Sequence, residues 1–396
     1  MKIAMITPGF LPVPATKGGA VECLITQLLD CNEHMPDSTI DLYTIPDSGR
    51  KTNHYYRHTN IIPVNIKRTT KFYNAFMNKM YVFFHINKWN TSYARTVKKY
   101  IKNKEYDYVI IHNNLIAFRE IYRTLSRRNK MVYVLHNDIP DGKNERILAG
   151  MIGEKAYKIL AVSQHTKKHF ETITPNDKTR VLYNCLDKEA YLRQYSDEKI
   201  SELRTKIGLK KDDFVFMYSG RLDIYKGVLE LIHAFEKLEN KKSKLLIAGK
   251  SWFDSEKTDA YTKQLIEASK PLKDRVIFTG FVEPERMPQT YRLADVLVVP
   301  SLWEEPFGMV AIEGMAASLP LIVTDSGGLL EIVTEDNAII VKRDDIENNL
   351  TEAMAKLLKD KRLCTKMGQV SRRIIERSDK YDSKKYLENL LKELDS

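Results

Sequence analysis

The stretch W-E-E-P-F-G-M-V-A-I-E-G-M at residues 303–315 sets two acids, Glu305 and Glu313, eight positions apart across a predicted loop and helix. We expect that helix to begin near Gly308 or Met309. A helix N-terminus gathers unpaired backbone N–H groups and the positive end of the helix dipole, so it suits an anion such as a diphosphate. Two acids beside such a site would repel phosphate, and we therefore expect them to bind hydroxyl groups, which sugars offer.

The segment G-R-L-D-I-Y-K-G at 220–227 supplies the cations that an anion site needs. It directly follows a predicted strand at 214–219. Arg221 can bind two phosphate oxygens at once through its planar guanidinium, and Lys226 can act as a point charge. The alternative is a pair of ordinary surface charges on a strand-to-helix loop, but the flanking glycines favour phosphate binding.

Short β-branched runs alternate with helical patterns along the chain, which is typical of parallel sheets with crossover helices. The predicted strands form two series: 2–7, 39–45, 60–66, 107–112, 130–136 and 157–162, then 214–219, 244–248, 275–279, 295–299 and 320–323. We therefore predict two doubly wound α/β domains that bind ligand at the carboxyl ends of their strands. The polar segment 186–205 is the predicted linker, and 383–394 reads as a helix.

The two motifs at 303–315 and 220–227, together with the glycine pair Gly18–Gly19 and the strand-end His136, resemble those of the retaining GT-B glycosyltransferases. The likeness is to the large bacterial, family 4-like group of these enzymes. That family includes cell-surface polysaccharide, lipopolysaccharide and spore-coat enzymes, and the resemblance covers essentially the whole chain. It implies two Rossmann-like domains facing across a cleft: an acceptor domain at 1–190 and a nucleotide-sugar domain at 191–377. It also implies that a terminal helix within 378–396 packs back on the first domain.

The resemblance assigns roles in the second domain. Glu305 lies against the donor sugar near the reacting centre, and Glu313 binds the ribose hydroxyls. Glu304 falls outside the matched register, so we expect it to be solvated; the alternative for Glu313 is an acid on a helix surface. Val282 matches the position whose backbone recognises the nucleobase. The backbone of the following residues is expected to contact sugar hydroxyls or phosphate: Phe307, Gly308, Met309 and Val310.

In the first domain, Gly18 and Gly19 follow the first predicted strand and open a helix, where a glycine pair lets the backbone approach a phosphate closely. An ordinary turn and helix cap is the alternative. The resemblance gives His136 a role in positioning the sugar and in electrostatic stabilisation, against the alternative of a histidine that caps the next loop. Asp138 is a weaker candidate for binding acceptor hydroxyls.

The reaction implied is transfer of a hexose-type sugar, with retention of configuration, from a nucleoside-diphosphate sugar to a saccharide acceptor. Stabilisation of the leaving diphosphate by Arg221 and Lys226 is expected to be the largest contribution, which makes Glu305, His136, Arg221 and Lys226 the catalytic candidates. A UDP-sugar is the favoured donor, and we expect no cofactor and no metal. The alternatives are a non-catalytic partner subunit of the same fold, a nucleotide-sugar epimerase or a phosphorylase.

Residues 1–200 carry a net charge of +12 and residues 201–396 a net charge of −1, and residues 48–104 contain no acid. Within 67–89, lysines and arginines alternate with bulky apolar residues at roughly helical spacing: Phe72, Phe76, Tyr81, Phe84 and Trp89. Such a segment can bind anionic lipid headgroups, so residues 67–104 are a candidate membrane surface, and the acceptor is then a lipid-linked saccharide. The alternatives are an ordinary helix packed on the sheet and an acidic polysaccharide acceptor. Nucleic-acid binding is disfavoured, because no recognition module accompanies the charge.

Four cysteines without a C-x-x-C pair indicate reduced thiols. No apolar stretch approaches the roughly 20 residues that span a bilayer. We therefore expect a cytoplasmic protein, either free or peripheral on the inner face of the plasma membrane.

Overall fold

The computed structural model describes residues 1–34, 38–47, 56–66, 91–125, 129–240, 242–250 and 260–396. The chain divides into two compact units, one made of Met1–Asn184 with Ser383–Ser396 and the other of Cys185–Asp382. The sequence predicts these boundaries at 190 and 378. The predicted linker 186–205 contains two short helices and lies in the second unit.

The first unit is built on a seven-stranded parallel sheet in the order β3-β2-β1-β4-β5-β6-β7. Its strands are β1 (Lys2–Ile6), β2 (Thr39–Thr44), β3 (Thr59–Pro63), β4 (Tyr108–His112), β5 (Lys130–Leu135), β6 (Lys158–Ala161) and β7 (Thr179–Val181). Its described helices are α1 (Ala20–Asn32), α2 (Ser92–Ile101), α3 (Leu115–Tyr122), α4 (Lys143–Lys155) and α5 (Gln164–Ile173). The central strands are buried on both faces, as apolar runs such as Y-V-I-I-H predict.

Side-chain caps fix where several of these helices begin. Thr91, Asn114 and Ser163 each accept a hydrogen bond from the backbone N–H three residues further on. This satisfies one of the donors that a helix start leaves without an intrahelical partner. The caps of α3 and α5 fix where these helices begin, directly after β4 and β6.

The terminal helix of the chain, α14 (Ser383–Asp395), belongs to the first unit and packs against α1. Tyr108 donates to the carbonyl of Leu394 at 3.1 Å, and the thiol of Cys31 donates to the carbonyl of Ser383 at 2.8 Å. Buried leucines, including Leu387 and Leu390, anchor its apolar face.

The second unit holds a six-stranded parallel sheet in the order β10-β9-β8-β11-β12-β13. Its strands are β8 (Phe214–Ser219), β9 (Ser243–Ala248), β10 (Val276–Gly280), β11 (Val296–Val299), β12 (Leu321–Thr324) and β13 (Ala338–Val341). Its described helices are α6 (Lys188–Leu192), α7 (Asp197–Lys206), α8 (Val228–Glu236), α9 (Ala260–Ser269), α10 (Met287–Tyr291), α11 (Met309–Ala316), α12 (Ile346–Lys359) and α13 (Lys361–Arg377). Both sheets confirm the predicted doubly wound α/β class.

Strand order reverses at one point in each sheet, between β1 and β4 in the first unit and between β8 and β11 in the second. In open parallel sheets, the carboxyl ends of the strands at such a reversal form the usual ligand site. Among the described helices, none is long and apolar enough to cross a membrane.

Candidate functional site

At the reversal point of the second unit, a partly buried ion pair joins the loops that follow β8 and β11. Nζ of Lys226 lies 2.6 Å from Oε1 of Glu305, although the two residues are 79 positions apart. The Lys226 ammonium also lies 5.0 Å from the centre of the Trp303 ring, within the range of a cation–π contact. The structure therefore brings together two of the predicted catalytic residues.

The Lys226 loop takes its shape from close backbone packing. Gly227 has a φ of +67°, and a Cβ there would lie 1.9 Å from the carbonyl oxygen of Pro300, so only glycine fits. Asp223 accepts from the backbone N–H of Tyr225 at 3.0 Å, and Tyr218 donates to the carbonyl of Arg221 at 2.7 Å. These contacts fix the turn that presents the lysine.

The Glu305 side chain is 6% exposed, and hydrogen bonds fix its position. Ser301 donates its hydroxyl to the same Oε1 that Lys226 contacts. The backbone N–H of Glu305 donates to Oγ of Ser326 at 2.9 Å, and its carbonyl accepts from Gly328 at 2.6 Å. Among the described residues, Oε2 of Glu305 accepts no hydrogen bond, so this oxygen is available to a ligand hydroxyl.

Arg221 lies on the same loop as Lys226, with about a third of its side chain exposed, and pairs with Asp223 at 3.2 Å.

Glu304, which was expected to be only solvated, makes hydrogen bonds within the protein. It is exposed, but its carboxylate accepts from the backbone N–H of Gly327 at 2.6 Å and from Arg343 at 2.5 Å. It therefore ties the loop after β11 to the loops after β12 and β13.

Helix α11 begins at Met309, as predicted, directly after Gly308. Phe307 is buried with its ring 6.3 Å from that of Tyr381, whereas Gly308, Met309 and Val310 are half-buried. The three residues that follow Phe307 are thus partly accessible, and their backbone contacts with a ligand stay a prediction.

Glu313 lies one turn into α11, half-buried, and its Oε2 accepts from Tyr291 at 2.6 Å. Burial raises the pKa of Glu313, while hydrogen bonds from Tyr291 and Tyr191 lower it. Val282 follows β10, which lies two strands from β8 at the edge of the sheet. Glu313 is thus held by tyrosines rather than by the Lys226–Glu305 pair.

In the first unit, Gly18 and Gly19 lie between β1 and α1, and Gly19 immediately precedes the helix. A Cβ on Gly19 would lie 2.3 Å from Oε2 of Glu22, which is 5% exposed. Burial raises the pKa of Glu22 to about 7. An acid thus lies against the predicted phosphate-binding glycines, and the sequence argument missed it although it stands three residues after Gly19.

His136 follows β5 and is 6% exposed, and its Nε2 lies 2.9 Å from Nδ1 of the buried His112 at the end of β4. Burial lowers the pKa of His136 to about 3 and that of His112 well below its ordinary value. Both imidazoles are therefore neutral near pH 7. His112 was not among the site residues predicted from the sequence.

Asp138 lies two residues after His136, and its Oδ2 is 3.0 Å from Nε2 of His165 on α5. Its Oδ1 is buried and has no hydrogen-bond partner among the described residues. The predicted acceptor-binding acid therefore has one oxygen beside a histidine and one buried oxygen without a partner among the described residues.

The predicted membrane segment 67–104 lies mostly outside the described residues, since 67–90 is not described. In its described part, Tyr93 and Val97 of α2 are buried in the core, and Lys98 and Lys104 form ion pairs with acids of the first unit.

Among the described residues, no cluster of three or more His, Cys, Asp or Glu side chains has the geometry of a metal site.

Two family models match the chain, Glycosyltransferase Family 4 over residues 66–190 and Glycosyl transferases group 1 over residues 199–374. The chain is 24% identical to spore coat protein SA of Bacillus subtilis over 400 residues, covering 99% of this chain and 98% of the relative. It is 29% identical to lipopolysaccharide 1,2-N-acetylglucosaminetransferase of Salmonella typhimurium over 271 residues, covering 65% and 66%.

Solved structures share the architecture over the full length. The crystal structure of Anabaena Alr3699/HepE in complex with UDP-glucose superposes with a TM-score of 0.78 at 21% identity, covering 100% of this chain and 99% of that one. Sucrose-phosphate synthase from Thermosynechococcus elongatus gives a TM-score of 0.80 at 20% identity, covering 99% and 98%. At such identities the likeness establishes the fold, which is GT-B.

Proposed function

Because the chain belongs to the GT-B glycosyltransferases, with a family 4 domain followed by a group 1 domain, we propose that it transfers a hexose-type sugar from a nucleoside-diphosphate sugar to a saccharide acceptor with retention of configuration. The observation that carries this proposal is the Lys226–Glu305 pair at the reversal point of the second sheet. A cation for the diphosphate and an acid for sugar hydroxyls stand side by side there.

The chemistry of the pair suits this donor. An ammonium group has three N–H donors, and Glu305 occupies one, so Lys226 keeps two for phosphate oxygens. Arg221 adds a planar cation on the same loop. Charge that develops on the leaving diphosphate is then stabilised by groups already in place, which is the most effective form of electrostatic catalysis.

UDP is the proposed nucleotide, supported by the complex of the structural neighbour HepE with UDP-glucose. Thermal unfolding of the protein with UDP, GDP, ADP and UDP-glucose tests this choice. A ligand at 100 times its dissociation constant adds about 2.7 kcal/mol of stability. Arg221→Gln is expected to weaken the UDP shift, whereas Lys237→Met, at an exposed ion pair with Glu347, leaves it unchanged. Equal shifts in all three proteins would contradict the donor site.

Retention and metal independence are tested by turnover. Proton NMR of the fresh product gives its anomeric configuration, and an inverted product would contradict the proposal. Lys226 and Arg221 carry the charge that a divalent ion supplies in other transferases, so turnover in EDTA is expected to match turnover in Mg²⁺. Loss of all activity in chelator, restored by added metal, would refute this point.

A lipid-linked acceptor is proposed from the excess of basic residues in the first half of the chain and from the lipopolysaccharide transferase among its relatives. Flotation with anionic and neutral vesicles at rising salt tests it. Binding to anionic vesicles that falls with salt supports membrane attachment. Binding to neither vesicle type would point to a water-soluble saccharide acceptor.

A further inference from the structure

The first unit contains two histidines that meet end to end. Nδ1 of His112 and Nε2 of His136 are 2.9 Å apart, and their ring centres are 5.2 Å apart with the planes 18° from parallel. The separation of the centres equals the nitrogen–nitrogen distance plus one ring radius at each end. The two nitrogens therefore lie on the line between the rings, which is the geometry of a well-aligned hydrogen bond and not of stacked rings.

Exactly one of these two nitrogens must carry the hydrogen of this bond. Both rings are buried, and burial keeps both pKa values below their ordinary range, so each ring is neutral and holds one proton. In a neutral imidazole, the hydrogen bond made by one nitrogen decides which nitrogen carries the proton. Two arrangements are thus available to the pair.

The surroundings of His112 distinguish the two arrangements. Its Nε2 is buried and has no hydrogen-bond partner among the described residues. If His136 donated, the proton of His112 would sit on that Nε2 as a buried N–H without an acceptor. If His112 donates, Nε2 is only a bare acceptor. Buried N–H groups without an acceptor are rare in native proteins, whereas acceptors without a donor are found more often.

We propose that His112 is a positioning residue: its Nδ1–H donates to Nε2 of His136 and thereby holds the proton of His136 on Nδ1, as a donor for an oxygen of the sugar substrate. The contact with sugar rests on the function proposed above, whereas the proton arrangement does not. The neighbouring strands β4 and β5 create the pair, since His112 lies opposite Val134 and His136 is two residues further on.

Nitrogen NMR of the protein labelled with ¹⁵N-histidine tests the arrangement directly, because protonated and bare imidazole nitrogens have well-separated shifts. The chain has nine histidines, and the signals of His112 and His136 are assigned by their loss in His112→Asn and His136→Asn. We expect His136 to be protonated on Nδ1 at pH 7. Protonation on Nε2 in the wild-type protein would overturn the proposal.

Variants of His112 supply a second readout. Asparagine places its amide N–H at the same number of bonds from Cβ as Nδ1, so His112→Asn is expected to keep the His136 arrangement and activity within about threefold. Leucine has no donor, and an aspartate carboxylate can only accept. His112→Leu and His112→Asp are therefore expected to lower kcat/KM about tenfold or more, a size typical for groups that orient a functional residue. In His112→Asp, the proton of His136 should also move to Nε2.

Circular dichroism and thermal unfolding show which variants fold. Equal activity in folded His112→Asn and His112→Leu would overturn the positioning role. Failure of the proposed function has a different signature: the wild-type protein would then transfer no sugar from any of the nucleotide sugars, while its nitrogen spectrum still decides the proton arrangement.

Discussion

Replacing Lys226 by methionine removes one charge from a partly buried ion pair and leaves the buried carboxylate of Glu305 behind. Glu305 loses a partner at 2.6 Å and keeps the hydroxyl of Ser301. Breaking a fully buried pair costs about 3–5 kcal/mol. The lysine side chain is 22% exposed and one hydrogen bond remains, so we expect a loss of about 2 kcal/mol. For a unit of about 200 residues, this lowers Tm by about 4–8 °C.

The same change should weaken nucleotide binding. A hydrogen bond to a charged group contributes about 1.5–3 kcal/mol, so the affinity for UDP is expected to fall about 10- to 100-fold. Calorimetric unfolding gives the stability, and titration calorimetry gives the affinity. Lys237→Met is the matched control, because its pair with Glu347 is exposed and worth less than about 1 kcal/mol.

A double variant separates the two effects. Lys226→Met with Glu305→Gln leaves no buried charge, so stability should return to within about 1 kcal/mol of the wild type while UDP affinity stays weak. If Lys226→Met has the same unfolding temperature and the same affinity for UDP as the Lys237→Met control, the ion pair neither stabilises the unit nor binds the donor. The central argument for the site would then be refuted.

Three further predictions concern other groups. Since the pKa of His136 falls from 6.5 to about 3 on folding, the unfolded chain binds a proton that the native state does not, and stability is lost as pH falls from 6.5 towards 3. At pH 5 this group lowers the free energy of unfolding by about 2 kcal/mol. Urea unfolding should therefore show a smaller loss of stability from pH 7 to pH 5 in His136→Asn than in the wild type. Equal losses in the two proteins would contradict a low pKa for His136. Tyr291→Phe removes the hydroxyl that donates to Glu313. Calorimetric unfolding should show a loss of about 1.5–3 kcal/mol, and UDP binding should weaken. An unchanged Tm would contradict this role of Tyr291. Gly227→Ala places a Cβ 1.9 Å from a carbonyl oxygen, whereas Gly208→Ala, also at positive φ, meets nothing within 4 Å. The first should cost about 3 kcal/mol or more in urea unfolding and the second about 1; equal costs would refute the packing argument.

Most of the fold could be predicted because buried parallel strands are continuous apolar runs. The strands that the sequence argument missed are β7 (T-R-V) and β13 (A-I-I-V), which lie at the edges of their sheets. Both are too short to show a period, and a short apolar run cannot be told from a buried helix segment. β7 has three residues, only one of them apolar, so it forms no apolar run, whereas β13 is as long as β11 and β12, and its length alone does not explain why it was missed.

The candidate site could be predicted residue by residue but not contact by contact. Lys226 and Glu305 each follow a predicted strand, yet their pairing depends on β8 lying beside β11, which no local pattern encodes. His112 was missed for the same reason, although two successive predicted strands each end in histidine. Strand-end residues become partners only once the order of the strands is known.

The ion pair also resolves the difficulty of placing an acid beside a phosphate site. Before ligand arrives, Lys226 and Glu305 neutralise each other, so neither is a lone buried charge. In the function proposed above, a diphosphate would bind the two remaining N–H donors of Lys226, and a sugar hydroxyl would donate to Oε2 of Glu305. The Lys226 ammonium, 2.6 Å from Oε1 of Glu305, would then offset the repulsion between the carboxylate and the phosphate. The lysine against Glu305 thus makes an acid at this position compatible with the proposed anion site.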